Sequence, residues 1–296
     1  MGPQWCCVNA RGHLDRSSAP SPGVPPPGAP VPQRGLRAPS WLRDLAGAWI
    51  FYSVLPAWPW VAPRFERIAR FAPLIGLVLG GLQALLWLVT AAWLPGAARL
   101  ALVMALALAL SGGLHHDGAL DTADGLAAGP QPATRLKAMA DSRVGAAAVL
   151  AALQLALVRG AALACLLAAP PLLGGAALVS AAFWGRVSPL LAMQAYPYLR
   201  PDGSAAFHRA HWRGLGRELQ PALLASACLA GLALSLGLPA GTGWWALLGL
   251  VPCLAVPWWL GRRLGGHSGD SYGACVEWVE ALALLLMGLV VRWPAA

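Results

Sequence analysis

Long apolar runs constrain this chain more than any other feature, because they recur at a length of about 20 residues. A transmembrane helix needs roughly that many consecutive apolar residues to cross the hydrocarbon core of a bilayer. Only 11% of the residues are charged, whereas an ordinary soluble domain has about 25%. The sequence therefore predicts an all-α, polytopic membrane protein, a helix bundle that is surrounded by a lipid bilayer.

Seven runs are apolar enough to be interpreted as membrane spans. They cover residues 72–94, 97–113, 144–168, 172–194, 221–238, 244–260 and 276–292. Residues 40–296 are thus predicted to form one integral membrane domain, which begins with a short tryptophan-rich helix that is either interfacial or half-inserted. Residues 1–39 are rich in proline and lack the apolar core of a signal peptide. They are predicted to be a disordered tail.

The connections between the spans divide into two kinds. Those after the first, third and fifth spans are short, whereas the segments at about 114–143, 195–220 and 261–275 are long and polar. With alternating topology, the three long segments share one side of the membrane with the arginines of residues 62–71. Most basic residues lie on that side, so the positive-inside rule predicts that it faces the cytoplasm.

The formal charge of +9 comes almost wholly from arginine. Because these arginines lie at the ends of apolar runs, they indicate topology signals and contacts with anionic lipids, and no nucleic-acid partner is expected. The basic segment 195–220 also suits an anionic substrate, with a lipid-facing role as the alternative.

Three aspartates form the most unusual polar feature of the chain, which has only 12 acidic residues. Asp117, Asp121 and Asp124, here called the acidic ladder, are spaced i, i+4 and i+7, which places them within an arc of about 60° on one helix face. Carboxylates stacked in this way repel one another unless a cation neutralises them. Oxygen ligands without a nearby cysteine favour Mg²⁺ or Mn²⁺. The alternative interpretation is a solvated face of a loop helix.

Glycines accompany the acidic ladder and also precede the last predicted span. They are Gly112, Gly113, Gly118 and Gly125 in the first group, and Gly265, Gly266, Gly269 and Gly273 in the second. The first group is predicted to leave room for a large phosphate-bearing ligand to approach the backbone. The second group is predicted to donate backbone N–H groups to phosphate.

Two arginines lie inside predicted spans. Arg186 is in the middle of the fourth span, where an ionised side chain usually faces a polar cavity or a partner, so it is expected to meet a phosphate or a carboxylate. Arg159 has a similar position in the third span, but its side chain could snorkel along its own helix.

A second acidic group begins the last predicted span. Asp270, Glu277 and Glu280 are spaced i, i+7 and i+10, which again places them on one helix face. Such a group suits a second metal ion or a base for a substrate hydroxyl. From spacing alone, His115 is more typical of a hydrogen-bonding residue at a membrane boundary than of a ligand. Asp141 and Arg143 fit a simple helix-start pair.

Several of these segments together resemble the cobalamin synthase family, the adenosylcobinamide-GDP ribazoletransferases. The strongest likeness is in GGLHHDGALDTADGL, followed by MADSRVGAAAVL. Further likeness lies in Leu55-Pro56, Arg70 to Gly76, Arg186, Tyr198-Arg200-Pro201 with Gly203, Gly265-Gly266, Gly269-Asp270, Gly273 and Glu280. The likeness covers about residues 45–292. The chain departs from the pattern at His116 and at Ala147-Ala148, and neither departure replaces a carboxylate.

The resemblance implies a membrane-embedded, Mg²⁺-dependent transferase of the bacterial inner membrane, with its active site facing the cytoplasm. Its substrates would be adenosylcobinamide-GDP and α-ribazole or α-ribazole 5′-phosphate, and its products adenosylcobalamin, or its phosphate, and GMP. Other enzymes of the corrinoid pathway are candidate partners.

The resemblance also implies roles for individual residues. The acidic ladder would hold Mg²⁺ against the diphosphate. Arg143 and Arg186 would stabilise non-bridging oxygens. The proton of the attacking hydroxyl would go to one of four residues, among which the sequence does not choose: His115, Asp141, Asp270 and Glu280.

Other membrane proteins fit the sequence less well. A CDP-alcohol phosphatidyltransferase needs an Ala-Arg pair that is missing after Asp117-Gly118. A prenyltransferase would carry paired Asn/Asp-rich repeats, which are absent from the sequence. A transporter would place its ionisable groups near the middle of the membrane, and a scaffold protein gives no reason for the acidic ladder.

Overall fold

The computed structural model describes residues 38–201, 203, 205–235 and 245–292. Nearly all of the predicted disordered tail therefore lies outside the described residues. The described part of the chain forms twelve α-helices. They are α1 (Ser40–Tyr52), α2 (Ala72–Val89), α3 (Gly96–Ser111), α4 (Leu114–Ala127), α5 (Pro132–Ala138), α6 (Ala146–Leu166), α7 (Pro171–Ala195), α8 (Ala206–Ala210), α9 (Leu215–Glu218), α10 (Gln220–Ser235), α11 (Leu250–Leu264) and α12 (Gly269–Arg292).

Four helices are long and apolar enough to cross a bilayer. They cover Ala69–Val89, Ala146–Leu166, Pro171–Ala195 and Gly269–Val291, the first including a short 3₁₀ turn before α2. The outward face of α6 is apolar, since Val149, Leu150, Leu153 and Leu157 are each more than half exposed. Such a face suits lipid rather than water. The prediction of a helical, multi-pass membrane protein is confirmed.

The other three predicted spans look different from a straight membrane helix. The second is the 16-residue helix α3, and α4 leaves it at an angle of 92°, so that the two form one bent span or a re-entrant pair. Gly112 and Gly113 make this bend with positive φ angles of 61° and 73°, which glycine adopts without strain. The helices α10 and α11 have only 16 and 15 residues. The described residues thus give four or five spans, and the count of seven stays a prediction.

Small residues allow α2 and α7 to pack backbone against backbone. Gly76 and Gly80 form a G-x-x-x-G pattern on α2. A Cβ at Gly76 would lie 2.5 Å from the carbonyl oxygen of Ala182, and one at Gly80 would lie 2.8 Å from Cα of Val179. Close approach of small residues is the usual basis of helix association in membranes.

The last helix, α12, is the centre of the bundle, because it packs against α4, α6, α7 and α11. A Cβ at Gly118 of α4 would lie 2.6 Å from the carbonyl oxygen of Asp270. One at Gly185 of α7 would lie 2.5 Å from Cγ of Glu280. The absence of a side chain at these two positions therefore brings both helices into close contact with α12.

The polar connections meet on one side of the bundle, as their predicted topology requires. Arg200 donates a hydrogen bond of 2.8 Å to the carbonyl oxygen of Leu136. The backbone N–H of Leu199 donates one of 2.7 Å to His267. Arg67 of the N-terminal arginine cluster pairs with Glu218 at 2.6 Å. The assignment of this side to the cytoplasm stays a prediction.

Candidate active site

Two rungs of the acidic ladder face the polar side of the bundle. Asp117 lies in the first turn of α4 and is exposed, and Asp121 lies one turn later and is half-buried. A carboxylate near a helix N-terminus is favoured by the helix dipole. The predicted helix and its i, i+4 spacing therefore place these two carboxylates together, as expected.

A third carboxylate and a guanidinium come from distant parts of the chain. Asp270, in the first turn of α12, pairs with Arg200 at 3.1 Å. Asp121 feels the negative charges of Asp117 and Asp270 and the positive charge of Arg200. This group, here called the acidic cluster, consists of Asp117, Asp121, Asp270 and Arg200. Its three carboxylates and one guanidinium leave two negative charges uncompensated. Such a group attracts a divalent cation.

Asp124, the third residue of the acidic ladder, binds the N-terminus of α6. Its carboxylate accepts hydrogen bonds of 2.7 Å from the N–H of Gly145 and 2.9 Å from the N–H of Ala148. These N–H groups belong to the start of α6, whose first turn has no partner within the helix. Asp124 therefore caps a membrane helix from the outside. Gly145 fits beneath it because a Cβ there would collide with the carboxylate.

The acidic cluster fits Mg²⁺ better than the complete ladder does. Within the described ranges, no three His, Cys, Asp or Glu side chains are close enough to form a metal site by themselves. Magnesium usually binds through one or two carboxylates, several waters and the phosphates of a substrate. Asp117 and Asp121 supply such a pair, and Asp270 lies beside them. The carboxylate of Asp124 is occupied by the N-terminus of α6.

The predicted ligand-binding glycines have three structural settings. Gly112 and Gly113 form the bend before α4. At Gly118 and Gly125 the space is filled by Asp270 and Met139, so it is not left for a ligand. Gly266 (φ 156°) packs closely against the chain at Pro197, since a Cβ at Gly266 would lie 2.6 Å from the carbonyl oxygen of Pro197. Two of the eight, Gly269 and Gly273, line a cavity in the described part of the chain.

Asp141 and Arg143 form an exposed pair in the loop between α5 and α6. The guanidinium of Arg143 donates to both carboxylate oxygens of Asp141, at distances between 2.6 and 3.2 Å. These hydrogen bonds lower the pKa of Asp141 to about 2. The bond between Gly145 and Asp124 anchors the end of this loop to α4. Arg143 is thus free to exchange its carboxylate for a phosphate, whereas Asp141 is a weak base while the pair persists.

An ion network lies deeper in the bundle, among α4, α6, α7 and α12. Glu280 accepts hydrogen bonds from both Arg159 and Arg186. Glu277 lies 3.7 Å from Arg159 and 3.5 Å from a ring nitrogen of His116. Two carboxylates therefore balance two guanidiniums, and all four side chains are buried. The structure joins Arg186 and Glu280 to each other, so they contact a substrate only if this pairing changes.

From the sequence, Arg159 had little weight as a functional residue, because its side chain could snorkel along its own helix. Its pairing with Glu277 and Glu280 could have been inferred from the carboxylates at the start of the last predicted span. Ionisable groups in different membrane helices usually pair with one another.

A cavity of about 80 Å³ lies between this ion network and the polar side. Its walls include Tyr52, His115, Arg186, His208 and Tyr272. The ring of His115 stacks on Tyr52 with a centroid distance of 6.0 Å and an interplanar angle of 16°. Tyr52 and His208 were not predicted as site residues, because a helix before the first span and a short loop helix gave no pattern linking them to the acidic ladder.

Comparison with known proteins places this architecture in a family. The family described as cobalamin-5-phosphate synthase matches residues 44–288. The chain belongs to this family. The match includes the acidic cluster, the ion network and every residue named in the cavity wall, so the family assignment and the resemblance predicted from the sequence agree.

Relatives of nearly full length support the assignment. A protein of Prochlorococcus marinus (strain MIT 9303), named adenosylcobinamide-GDP ribazoletransferase, is 54% identical over 269 residues, which cover 86% of this chain and 99% of the relative. A protein of the same name from Thermosynechococcus vestitus is 42% identical over 244 residues, covering 82% of this chain and 95% of the relative. No solved structure is significantly similar.

Proposed function

We propose that this family member joins adenosylcobinamide-GDP to α-ribazole, or to α-ribazole 5′-phosphate, with release of GMP. The observation that carries the proposal is the 54% identity to a protein named adenosylcobinamide-GDP ribazoletransferase over 99% of that protein's length. The reaction would complete the nucleotide loop of adenosylcobalamin. It would take place at the inner membrane, with the acidic cluster facing the cytoplasm.

The chemistry of this transfer is a substitution at phosphorus. A ribose hydroxyl of the ribazole forms a new bond to the phosphorus that is attached to cobinamide. The bond from that phosphorus to the bridging oxygen of the diphosphate breaks, and GMP leaves with the bridging oxygen. The hydroxyl proton passes to a base and then to solvent. Phosphoryl transfer of this kind depends mainly on position and charge neutralisation.

The acidic cluster is suited to a diphosphate only with a cation, because carboxylates and phosphates repel each other. When bound by Asp117 and Asp121, Mg²⁺ would neutralise the diphosphate and stabilise the charge on the leaving phosphate. The two carboxylates lie one turn apart on the same face of α4, which keeps them side by side. Asp124 contributes by fixing α4 against α6.

Two guanidiniums near the polar side supply positive charge to non-bridging oxygens. Arg143 and Arg200 each pair with a carboxylate that is at least one-quarter exposed. A phosphate can replace that carboxylate as the partner of the guanidinium. Among the candidate bases, Asp270 belongs to the acidic cluster and is released when Arg200 turns to phosphate. Asp270 is therefore the base in this proposal, whereas Glu280 keeps its place in the ion network.

The deciding assay uses membranes that contain the full chain. Adenosylcobinamide-GDP, α-ribazole and Mg²⁺ are added, and the cobalamin product and GMP are measured by chromatography. Equal amounts of the two products are expected, with no turnover after Mg²⁺ is removed by a chelator. A chain that inserts normally but forms no cobalamin product would refute the proposed function.

A pair of matched variants tests the site itself. Asp121→Asn removes one carboxylate charge from the acidic cluster and is expected to lower kcat by at least about 100-fold, since loss of a metal-holding group costs several kcal/mol of transition-state stabilisation. Glu66→Gln removes a half-exposed carboxylate that pairs with Arg64 instead of a cluster residue, and is expected to retain near-normal activity. Equal activity of the two variants would exclude Asp121 from the site.

A further inference from the structure

A broad apolar groove runs along the outside of the bundle between α4, α6, α11 and α12, with a volume of about 810 Å³. Its wall includes Leu150, Trp258 and Trp259, which are between 46% and 59% exposed, so the groove is open on its outer side. None of the described residues that line it is charged. Such a wall suits hydrocarbon rather than water.

The groove begins at the polar side of the bundle. Ala147, at the start of α6, and Leu260, near the end of α11, both line it. These helix ends lie on the polar side, where Arg135 of α5 donates a hydrogen bond to the carbonyl oxygen of Arg263. Along α6 the groove extends from Ala147 to Gln154, a rise of about 10 Å at about 1.5 Å per residue. One leaflet of a bilayer contains about 15 Å of hydrocarbon, so an acyl chain can lie along the groove with its headgroup at the polar end.

Two guanidiniums lie at the polar end of the groove. Arg262 and Arg263 are exposed and belong to the last turn of α11. The guanidinium carbon of Arg262 lies 4.8 Å from the ring centroid of Trp258, and that of Arg263 lies 5.6 Å from the centroid of Trp259. Both tryptophans line the groove. In the part of the chain that the structure describes, neither guanidinium pairs with a carboxylate. A basic rim above an apolar wall complements a molecule with an anionic head and a hydrocarbon tail.

We propose that this groove binds one acyl chain of an anionic phospholipid, whose phosphate is held by Arg262 and Arg263. Guanidinium groups suit this task, because their several N–H donors match the oxygens of a phosphate. The indole rings of Trp258 and Trp259 form the wall next to the headgroup, and tryptophan is enriched at that depth of a membrane. A zwitterionic phospholipid offers the same phosphate, but its own cationic group opposes binding beside the two arginines.

The proposed lipid site is separate from the acidic cluster. At about 100° per residue, Ala119, Ala123 and Leu126 of the groove lie on the face of α4 opposite to the acidic ladder. A lipid in the groove therefore packs behind α4 and leaves Asp117 and Asp121 facing the polar side. Lipid binding and the proposed transfer are thus independent properties, and each is tested without the other.

Native mass spectrometry of the purified full chain tests the site, because bound lipids and the number of subunits are read from one spectrum. The chain is delipidated in detergent and mixed with equal amounts of phosphatidylglycerol and phosphatidylcholine that carry the same acyl chains. One phosphatidylglycerol per chain is expected to bind at least about 10-fold more tightly than phosphatidylcholine, which is the effect of about one hydrogen bond to a charged group. Glycerol 3-phosphate, which has no acyl chain, is expected not to displace it at equal concentration.

Two double variants of equal charge separate a defined site from general electrostatic attraction. Arg262→Gln with Arg263→Gln removes the proposed phosphate contacts and is expected to abolish the preference for phosphatidylglycerol. Arg213→Gln with Arg217→Gln is the control, because both arginines are exposed and belong to a segment that contributes no residue to the groove wall. This control is expected to keep the preference of the unaltered chain.

Two alanine variants at the start of α6 test the part of the site that holds the acyl chain. Ala147→Phe places a ring at the polar end of the groove and is expected to weaken binding of both lipids by at least about 10-fold, since excluding two methylene groups already costs about this factor. Ala146→Phe is the control, because Ala146 is exposed and does not line the groove. Unfolding temperatures in detergent verify that each variant is folded.

Any of five results overturns the inference. The first two are equal retention of the two lipids by the unaltered chain and displacement of the lipid by glycerol 3-phosphate. The next two are equal loss of the preference in both arginine double variants and equal lipid binding by the two alanine variants. The fifth is a dimer without bound lipid, which would identify the groove as an interface between two copies of the chain.

Discussion

Removal of Glu280 is expected to be the most destabilising single change in the membrane-embedded ion network. Glu280 is 5% exposed and accepts from both Arg159 and Arg186. Glu280→Leu leaves Arg186 with no anionic partner in the described part of the chain, whereas Arg159 keeps Glu277 at 3.7 Å. Breaking a buried ion pair typically costs about 3–5 kcal/mol, because a charge remains buried without compensation. We expect a loss in this range.

The other members of the network set the scale for this loss. Arg159→Met leaves Glu280 paired with Arg186, and Glu277 still has His116 at 3.5 Å. We therefore expect a smaller loss of about 1–3 kcal/mol. The double variant Glu280→Leu with Arg186→Met removes both charges of one pair. It is expected to be more stable than Glu280→Leu alone, since a buried pair can often be replaced by apolar residues.

Reversible unfolding in mixed detergent and SDS micelles measures these free energies, with helical circular dichroism as the readout. The order of stability, rather than any single value, tests the reasoning. The reasoning is refuted when Glu280→Leu is no less stable than Arg159→Met. It is also refuted if adding Arg186→Met to Glu280→Leu lowers the stability further. That result would mean that the charge of Arg186 is not destabilising when Glu280 is absent.

Three more predictions concern α4 and the loop between α5 and α6. Asp124→Ala should lower the free energy of unfolding by about 0.5–2 kcal/mol through loss of the α6 cap, and Asp124→Asn, which can still accept one of the two hydrogen bonds, should lose less in the same unfolding assay. Gly118→Val should lower the free energy of unfolding by about 1–3 kcal/mol, because a side chain at this position collides with the backbone of α12. The pKa of Asp141 lies below the ordinary value, so the stabilising effect of its pair with Arg143 is present above about pH 4 and lost as the pH falls through about 2. Asp141→Asn should therefore leave the shape of the pH–rate profile unchanged between about pH 5 and pH 9, as measured by turnover in membranes.

Each of these predictions has a contradicting outcome. If Asp124→Asn loses activity as completely as Asp121→Asn while remaining fully stable, then Asp124 is a ligand rather than a cap. Gly81 serves as the control for Gly118, since a Cβ at Gly81 would meet nothing within 4 Å; equal losses at the two positions would contradict the packing argument. Loss of the acidic limb of the pH profile in Asp141→Asn would identify Asp141 as the base.

The broad architecture was predictable because each part of it is encoded locally. Hydropathy alone marks the spans that became α2, α6, α7 and α12. The i, i+4 spacing alone places Asp117 and Asp121 on one helix face. In both cases the signal and the structure lie within about 20 residues of each other, so no knowledge of tertiary contacts was required.

The remainder depends on which helices touch, and sequence spacing does not contain that information. Asp124 has the same spacing as a third ligand, yet the start of α6 takes its carboxylate. Gly118 was interpreted as room for a ligand, but α12 fills the space. The bend of 92° between α3 and α4 separates one apolar run from the helix that carries the aspartates. Only the folded arrangement distinguishes these outcomes.

The central position of α12 has a consequence for how the protein is made. The acidic cluster receives Asp270 from the first turn of the helix that is synthesised last among those described, about 150 residues after Asp117. Until that helix enters the bundle, α4 lacks the surface against which Gly118 packs, and Arg159 and Arg186 lack Glu280. The charges that hold the bundle together and those that form the site are therefore completed in a single step. A ribosome-bound chain that has not yet made α12 carries the acidic ladder without a formed site, so catalytic competence and completion of membrane insertion arrive together.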